Sequence, residues 1–142
     1  MGGRSDLREP LQHLVGSTGF RYLTLAVEPG VFVPRPETES VAQVAIDEAN
    51  RLRAAGLSPT VVDLCCGAGG IAISVAVEVP GSLVTAVDLS AAAVTLTRRN
   101  ARAAVVGAMR LEQGDVRDPE LLADLDGTVD IVVSNPPYIP PD

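Results

Sequence analysis

The sequence has no lysine and no tryptophan, and it has few aromatic residues of any kind. Its 11 arginines are outnumbered by 18 acidic residues, which gives a net charge of −7. Non-specific nucleic-acid affinity comes mostly from clustered basic side chains, so the composition argues against a broad phosphate-binding face, though not against a local basic patch. The aromatic residues Phe20, Tyr22, Phe32 and Tyr138 also supply a base-stacking platform poorly.

Cysteine and histidine are also scarce. Cys65 and Cys66 are adjacent and are the only cysteines, and His13 is the single histidine. These residues can form neither a disulfide framework nor a structural zinc site, so we expect no metal and a reducing compartment. The longest uncharged stretch, 64–77, has 14 residues and three glycines and is too short and too broken to span a bilayer. Because the N-terminus also lacks an apolar signal region, we expect a cytoplasmic protein with no membrane partner.

What the sequence does contain is a regular alternation of apolar strands and helices. A chain of 142 residues fits one domain that buries roughly 68% of its unfolded surface. The runs VVDL and DIVVS are apolar and rich in β-branched residues, which is typical of strands buried on both faces. The pattern predicts a parallel α/β sheet with strands at 60–65, 83–89, 109–112 and 129–134 and helices at 71–79 and 91–105, the last capped by Ser90.

A hairpin and a helix are predicted before this sheet. The segments 20–27 and 31–33 flank Glu28-Pro29-Gly30, which favours a hairpin turn, and residues 1–19 suggest a tail or a short helix. The helix is predicted over 37–52, with Gly56 ending it. Its apolar positions at helical spacing are Val41, Val44, Ala45, Ala49 and Leu52.

Four polar side chains are expected at one edge of the sheet. Asp63, Asp88, Asp115 and Asn135 each fall at or just beyond the end of a strand, about one strand–helix unit apart. Ligands of open parallel sheets bind beyond the carboxyl ends of the strands. A single ligand is therefore within reach of all four.

The glycine-rich turn after the first strand of the sheet is the first element of this site. It comprises Cys66, Gly67, Ala68, Gly69 and Gly70, and it lets a ligand approach bare backbone. The spacing also matches the dinucleotide fingerprint, so the glycines alone do not choose the cofactor.

Asp63 helps to choose between the cofactors. Its carboxylate would repel a pyrophosphate, but it would attract the cationic amino group of S-adenosylmethionine, directly or through water. Alternatively, the carboxylate only holds the amides of the turn.

The next two strand ends carry acids with two interpretations each. Asp88 is placed to accept both ribose hydroxyls of either cofactor class, or else to supply charge at a helix start beside Ser90. Asp115 is placed to receive an adenine amino group, with Val116 against the ring, or else belongs to a plain turn.

The most informative tetrapeptide is Asn135-Pro136-Pro137-Tyr138, which directly follows a buried strand. The prolines fix φ and remove two backbone donors, so carbonyls are left in set directions. The Asn135 side-chain oxygen and the Pro136 carbonyl can accept the two N–H groups of a planar amide or amine, while Tyr138 packs on its plane. The alternative is a strand-ending Pro-Pro turn.

These residues resemble class I S-adenosylmethionine-dependent methyltransferases with an Asn-Pro-Pro-Tyr motif. Three segments, 10–16, 33–39 (Val-Pro-Arg-Pro-Glu-Thr-Glu) and 134–139, look like the release factor glutamine N5-methyltransferases known as HemK or PrmC proteins. The resemblance implies methylation of the glutamine in the Gly-Gly-Gln loop of class 1 peptide release factors, with no direct nucleic-acid partner.

The resemblance also implies roles for particular residues. Asn135, Pro136 and Tyr138 would be catalytic, and with Pro137 they would bind the glutamine. The segment 35–39 would border the substrate channel, with Arg35 and Glu37 as its substrate-binding residues. The implied contacts of the cofactor are Asp63, Cys65, Cys66, Gly67, Ala68, Gly69, Asp88, Asp115, Val116 and Asn135. For the segment around Arg35, a proline-initiated helix start with acids in its first turn is the competing interpretation.

The chain departs from the family pattern at three points. Cys65 stands where the family usually carries glycine, the N-terminal helical domain is missing apart from its end, and the chain stops just past the tetrapeptide. We therefore expect residues 1–36 to be a remnant and hairpin linker, and 37–142 to be an incomplete cofactor-binding domain with its C-terminal strands missing. If the usual family strand order applies, strand 129–134 becomes an uncovered edge.

Three competing functions remain open. The exocyclic amines on which a nucleic-acid amino methyltransferase acts offer the same N–H pair, but such an enzyme calls for a basic, aromatic surface. A non-catalytic cofactor-binding fragment would bind without transfer, and an NAD-linked enzyme is disfavoured by Asp63 and by the tetrapeptide. The sequence leaves the oligomeric state open.

Overall fold

A computed structural model of the chain describes residues 16–31 and 35–135. The described part forms a four-stranded parallel sheet with three helices, preceded by a two-stranded antiparallel hairpin. In chain order the elements are β1 (Gly16–Phe20), β2 (Leu23–Val27), α1 (Pro36–Ala54), β3 (Thr60–Leu64), α2 (Gly70–Glu78), β4 (Leu83–Asp88), α3 (Ala91–Ala103), β5 (Arg110–Gln113), a 3₁₀ turn (Ala123–Leu125) and β6 (Ile131–Ser134).

The sheet has the predicted parallel α/β architecture. Its strand order is β5-β4-β3-β6, so β3 and β4 are the central strands. The core positions of these strands are buried β-branched or small residues, among them Val61, Val84 and Ala86, as expected for strands covered on both faces. Because all four strands are parallel, their carboxyl ends meet at one edge.

Local signals in the sequence explain the start and end of α1. Pro36 occupies the first turn, where its missing N–H costs nothing, and the acids Glu37 and Glu39 follow it. At the other end Gly56 has φ +85°, its N–H donates to the Arg53 carbonyl, and the Leu57 N–H donates to the Leu52 carbonyl. This is a Schellman motif, so Gly56 ends the helix as predicted.

The predicted hairpin exists but is displaced along the chain. Its strands are β1 and β2, joined at Arg21 and Tyr22, and not the segments around Glu28-Pro29-Gly30. That tripeptide does form a turn, with the Val31 N–H donating to the Glu28 carbonyl and Gly30 at φ +86°. Proline followed by a positive-φ glycine is typical of a type II turn, which splays strands and does not join them. Phe32 and Val33 lie outside the described residues.

Tertiary contacts hold the turn that does join the hairpin strands. Arg21 has φ +53°, its N–H donates to Glu39 Oε2 at 2.8 Å, and its guanidinium donates to both carboxylate oxygens of Glu78 at 2.7 and 2.8 Å. The hairpin also contributes Phe20 and Leu25 to the buried core. These contacts link residues far apart in sequence, so local turn chemistry did not reveal the turn.

One of the apolar positions of α1 is mostly exposed. The buried face of the helix consists of Thr38, Ala42, Ala45, Ile46 and Ala49. Val44, predicted on the apolar face, is 69% exposed and lines a groove of about 850 Å³ between α1 and β6. The small residues of the buried face let α1 pack against α2 and β6, and this packing turns Val44 outward. Within the described strands β6 lies at one edge of the sheet, as predicted.

Among the residues that the structure describes, no helix has both the length and the apolar character needed to cross a membrane.

Candidate functional site

The loop between β3 and α2 is tightly folded and carries three positive φ angles. Cys65 has φ +66°, Gly67 +55° and Gly69 +95°. Two side chains of α3 donate hydrogen bonds to carbonyls of this loop. The Thr97 hydroxyl donates to the Gly67 carbonyl at 2.8 Å, and Asn100 Nδ2 donates to the Ala68 carbonyl at 2.8 Å. The loop is therefore fixed by α3 as well as by its own glycines.

Sequence reasoning missed Thr97 and Asn100. Both are buried, and they lie three residues apart on the apolar face of α3. Asn100 also accepts from the Ala26 N–H and donates to the Ala26 carbonyl, so one amide joins the loop, α3 and the hairpin. The signal that could have found them is a pair of polar residues on a face where every other residue is apolar.

Gly69 has no room for a side chain. A Cβ there would lie 2.8 Å from Ile73 Cδ1 and 2.9 Å from Thr97 Cγ2, in addition to the unfavourable φ. We expect Gly69→Ala to lower the free energy of unfolding by about 2–4 kcal/mol. The matched control is Gly127→Ala, because Gly127 has φ +77° and nothing within 4 Å of its Cβ position. That variant should lose about 1 kcal/mol in urea denaturation, and equal losses in the two variants would contradict the contact argument.

Asp63, at the end of β3, is almost fully enclosed. It is 1% exposed, its Oδ2 accepts from the Ala72 N–H of α2 at 3.2 Å, and its Oδ1 has no partner. Burial raises the pKa of Asp63 to about 8, opposed by the Ala72 hydrogen bond and reinforced by the charge of Asp88. One oxygen thus holds an amide in the first turn of α2 and not an amide of the glycine turn, and the other has no partner among the described residues.

Asp88, at the end of β4, joins the loop to the next helix. Its Oδ2 accepts from the Gly67 N–H at 3.0 Å, and its Oδ1 accepts from the Ser90 N–H at 2.9 Å. Ser90 caps α3 as predicted, since its hydroxyl oxygen accepts from the Ala93 N–H. Each carboxylate oxygen keeps further acceptor capacity, so this structural role is compatible with binding a ligand hydroxyl.

A cavity of about 500 Å³ lies beside Asp88 and brings together the ends of β4 and β5. Two apolar side chains line it while remaining accessible, Leu89 at 66% and Val116 at 50% exposure. The loop at Gly30 and Val31 forms another part of its wall. Leu89, Gly30 and Val31 were not among the predicted site residues, although an apolar residue directly after a strand-end acid is a usable signal for Leu89.

Asp115 lines the same cavity but is engaged by a neighbour. Its Oδ1 accepts from the Arg117 N–H at 2.9 Å, and its Oδ2 accepts from Arg117 Nη2 at 2.6 Å. The Arg117 side chain lowers the pKa of Asp115 to about 2. The carboxylate is therefore ionised and fixed in a turn, and its contact with an adenine amino group stays a prediction.

The two cysteines are free thiols. Burial raises the pKa of Cys66 to about 12, and its Sγ lies 3.3 Å from Thr97 Oγ1. Burial and the charge of Asp88 also raise the pKa of Cys65. Neither thiol is a thiolate at neutral pH, so both act through size and shape.

Cys65 forms part of the wall of two spaces, the cavity beside Asp88 and a small one of about 10 Å³ beside Asp63. Its left-handed backbone explains why glycine suits this position. We expect the free energy of unfolding of Cys65→Gly to lie within about 1 kcal/mol of that of the unsubstituted chain. That of Cys65→Val should be lower by about 2 kcal/mol or more, because a β-branched residue is disfavoured at positive φ. Equal urea midpoints for the two variants would refute the backbone argument.

Asn135, directly after β6, is held by the first turn of α1. Its Nδ2 donates to Thr38 Oγ1 at 2.9 Å across 97 residues of sequence. Asn135 also lines the small space that Asp63, Cys65 and Cys66 border. The structure thus brings Asn135 to the glycine loop and to the Arg-Pro-Glu-Thr-Glu segment.

Other predicted site residues have less support from contacts. Arg35 and Glu37 are exposed at the start of α1, on the element that carries Thr38. Pro136, Pro137 and Tyr138 lie outside the described residues. Within 16–31 and 35–135, no group of three or more histidine, cysteine or acidic side chains is placed to hold a metal ion.

Comparison with known proteins identifies the family of the chain that carries this site. A family model described as the methyltransferase small domain matches residues 23–140, which include the hairpin strand β2 and everything after it up to Pro140. The chain belongs to the methyltransferase small domain family. The glycine loop, Asp88 and Asn135 all lie within the matched part of this methyltransferase domain.

Two curated relatives of this methyltransferase domain differ in what their names say they act on. The release factor glutamine methyltransferase of Streptomyces coelicolor is 54% identical over 137 residues, which cover 96% of this chain and 46% of that protein. A 4-amino-L-phenylalanine/4-methylamino-L-phenylalanine methyltransferase of Streptomyces pristinaespiralis is 47% identical, covering 94% of this chain and 44% of that protein. The chain spans about half the length of the curated relatives that it matches.

Solved structures of methyltransferases share the fold of this domain. The SAM-dependent methyltransferase from Agrobacterium tumefaciens superimposes with a TM-score of 0.68 at 18% sequence identity, covering 87% of this chain and 40% of that one. At this identity the likeness concerns the fold alone.

Proposed function

We propose that the chain binds S-adenosylmethionine beyond the carboxyl ends of β3, β4 and β5 and transfers its methyl group to the side-chain amide of a glutamine in a class 1 release factor. The observation that carries the proposal is the meeting of Asn135 with the glycine loop and Asp63 at one sheet edge. The family match and the relatives named as release factor glutamine methyltransferases support it.

The cavity beside Asp88 fits the adenosine half of this cofactor. Leu89 and Val116 offer apolar surface to a planar ring, and Asp88 offers acceptor capacity to ribose hydroxyls. A volume of about 500 Å³ falls in the range of small-molecule sites. The acidic residues of this cavity, Asp88 and Asp115, suit a cofactor without phosphates.

Asp63 suits the amino-acid half, acting through a water molecule. The space beside it measures about 10 Å³, which is enough for one water molecule. The unpartnered Oδ1 needs a donor, and a bridging water would satisfy it while carrying the attraction to the cationic amino group. A dinucleotide pyrophosphate would gain nothing from this acid.

When bound, S-adenosylmethionine supplies an electrophilic methyl group on a positively charged sulfur. The chain's task is then to orient an unreactive amide nitrogen toward that group. With its Nδ2 held by Thr38, Asn135 presents Oδ1 as an acceptor for one substrate N–H, and the Pro136 carbonyl is proposed to accept the other. Accepting these hydrogens directs the nitrogen lone pair and stabilises the positive charge that develops on it.

No strong base is needed for this reaction. The amide proton becomes acidic as the nitrogen gains positive character, so neutral carbonyl acceptors suffice: the N–CH₃ bond would form as the S–CH₃ bond breaks, S-adenosylhomocysteine would leave, and the proton would pass to solvent water. Tyr138 is proposed to pack on the planar amide, and Arg35 and Glu37 to border the path of the incoming loop. A release factor as partner would place the reaction in the cytoplasm.

The test is methyl transfer from labelled S-adenosylmethionine to an intact release factor. We expect one methyl group on the glutamine of its Gly-Gly-Gln loop, and none on a release factor in which that glutamine is replaced by alanine. Equal labelling of both release factors would contradict the proposed acceptor. Cofactor binding, followed separately by calorimetry, distinguishes a chain that only binds from one that transfers.

A second candidate substrate is an amino group on an aromatic ring. The 47% identity to a 4-amino-L-phenylalanine methyltransferase favours it, because an arylamine presents the same pair of N–H groups and a planar face. A nucleic-acid amino group is a third candidate, for which the net charge of −7 offers little support. Parallel assays with 4-amino-L-phenylalanine and with bulk RNA or DNA separate these substrates from the release factor.

A further inference from the structure

We propose that Thr38 is a positioning residue that sets the orientation of the Asn135 carboxamide and thereby the efficiency of methyl transfer. This inference rests on the proposed function and assigns a role to a residue of the Arg-Pro-Glu-Thr-Glu segment. Its basis is a single long-range contact, the hydrogen bond from Asn135 Nδ2 to Thr38 Oγ1 at 2.9 Å.

The Thr38 hydroxyl is itself fixed. Thr38 is 5% exposed and lies in the first turn of α1. Its hydroxyl oxygen also accepts from the Arg35 N–H at 3.3 Å. The Thr38 N–H in turn donates to the Arg35 carbonyl at 2.9 Å. The hydroxyl oxygen therefore has a defined place in a rigid helix start and cannot follow Asn135 if that side chain rotates.

In the structure this contact occupies the nitrogen end of the carboxamide and leaves the oxygen end available. An asparagine side chain has one acceptor oxygen and one donor nitrogen, and the two exchange places when the group rotates by half a turn. While Nδ2 donates to Thr38, Oδ1 is the end available to accept from a substrate N–H. A rotated side chain would present a donor to another donor and would repel the amide that it has to hold.

The geometry also explains why α1 belongs to the site. Asn135 follows the edge strand β6, whose far side has no neighbour among the described strands. A strand end in that position has fewer packing contacts than a central one, so a hydrogen bond from an adjacent helix is an effective restraint. Thr38 supplies it from the element that also carries Arg35 and Glu37.

The test compares Thr38→Val, which keeps the shape but removes the hydroxyl, with Thr38→Ser, which keeps the hydroxyl. We expect Thr38→Val to lower kcat for transfer to the release factor by about 10- to 100-fold, with the dissociation constant of S-adenosylhomocysteine unchanged. Thr38→Ser should restore most of the rate. Thr128→Val is the matched control, because it removes a threonine hydroxyl bonded at 2.8 Å to the Leu125 carbonyl, away from the site.

A second readout needs no activity. The Asn135 side-chain N–H₂ signals in an NMR spectrum are identified by their loss in Asn135→Ala, and in Thr38→Val they should shift and exchange faster with water. Unchanged signals in Thr38→Val, or an unchanged transfer rate, would overturn the inference. If the unsubstituted chain transfers no methyl group to a release factor, the proposed function fails, and the NMR comparison alone decides whether Thr38 orients Asn135.

Discussion

Replacing Asn135 by alanine should reduce methyl transfer by about 10²-fold or more while S-adenosylmethionine binds almost as before. The reason is that Oδ1 of Asn135 acts on the acceptor nitrogen, whereas the cofactor contacts are proposed to come chiefly from the glycine loop, Asp88, Leu89 and Val116. Losing one of two preorganised acceptors removes stabilisation that is strongest when the nitrogen becomes positive. Transfer rate and cofactor affinity, measured on the same preparation, provide the comparison.

The control for this variant is Asn50→Ala, which makes the same substitution at an exposed position of α1. It should leave both quantities unchanged. An Asn135→Ala protein that loses cofactor binding and transfer by the same factor would show that Asn135 supports the cofactor pocket, and the proposed role in holding the substrate amide would then be wrong.

Replacing Asp63 by asparagine should stabilise the fold at pH 8 and weaken cofactor binding at the same time. Burial raises the pKa of this carboxyl from 3.8 to about 8, so the folded chain holds a proton that the unfolded chain has already lost. The unsubstituted protein therefore loses stability as the pH rises from about 4 through 8. Asparagine does not ionise, so its advantage should be near zero at pH 4 and reach about 2–4 kcal/mol above pH 8.

The cofactor affinity of the unsubstituted chain should rise with pH over the range in which its stability falls. An ionised Asp63 attracts the cationic amino group through water, so the affinity of the unsubstituted chain should rise between pH 6 and 7.5, where that amino group is still charged. In Asp63→Asn the affinity should be about 10-fold lower or more at pH 7.5 and nearly independent of pH in this range.

Calorimetric titrations and thermal unfolding across pH, with the exposed Asp47→Asn as control, measure both trends. A variant that binds as tightly as the unsubstituted chain would show that Asp63 serves only α2. A stability difference that does not change between pH 4 and 8 would mean that the buried group does not hold its proton.

The sheet could be predicted because its signals are local. Runs of apolar β-branched residues, a proline at the start of α1, a glycine at its end and a serine before α3 each specify their own element. The parallel topology then placed Asp63, Asp88, Asp115 and Asn135 at one edge without further information, and the structure shows them there.

The parts that could not be predicted depend on distant contacts. The hairpin turn at Arg21 is held by Glu39 and Glu78, neither of which lies near it in sequence. Thr97 and Asn100 fix a loop that precedes them by about 30 residues, and Thr38 meets Asn135 across 97. The exposure of Val44 could not be predicted either, because helical periodicity identifies a face but not the neighbours that cover it.

The most direct test of the proposed site is a crystal structure of the chain soaked with S-adenosylhomocysteine. We predict that the adenosine lies between Leu89 and Val116, that its ribose hydroxyls contact Asp88, and that its sulfur faces the Asn135 carboxamide. A ligand bound elsewhere, for example in the groove between α1 and β6, or an Asn135 side chain turned away from the sulfur, would contradict a methyl-transfer site at this edge of the sheet.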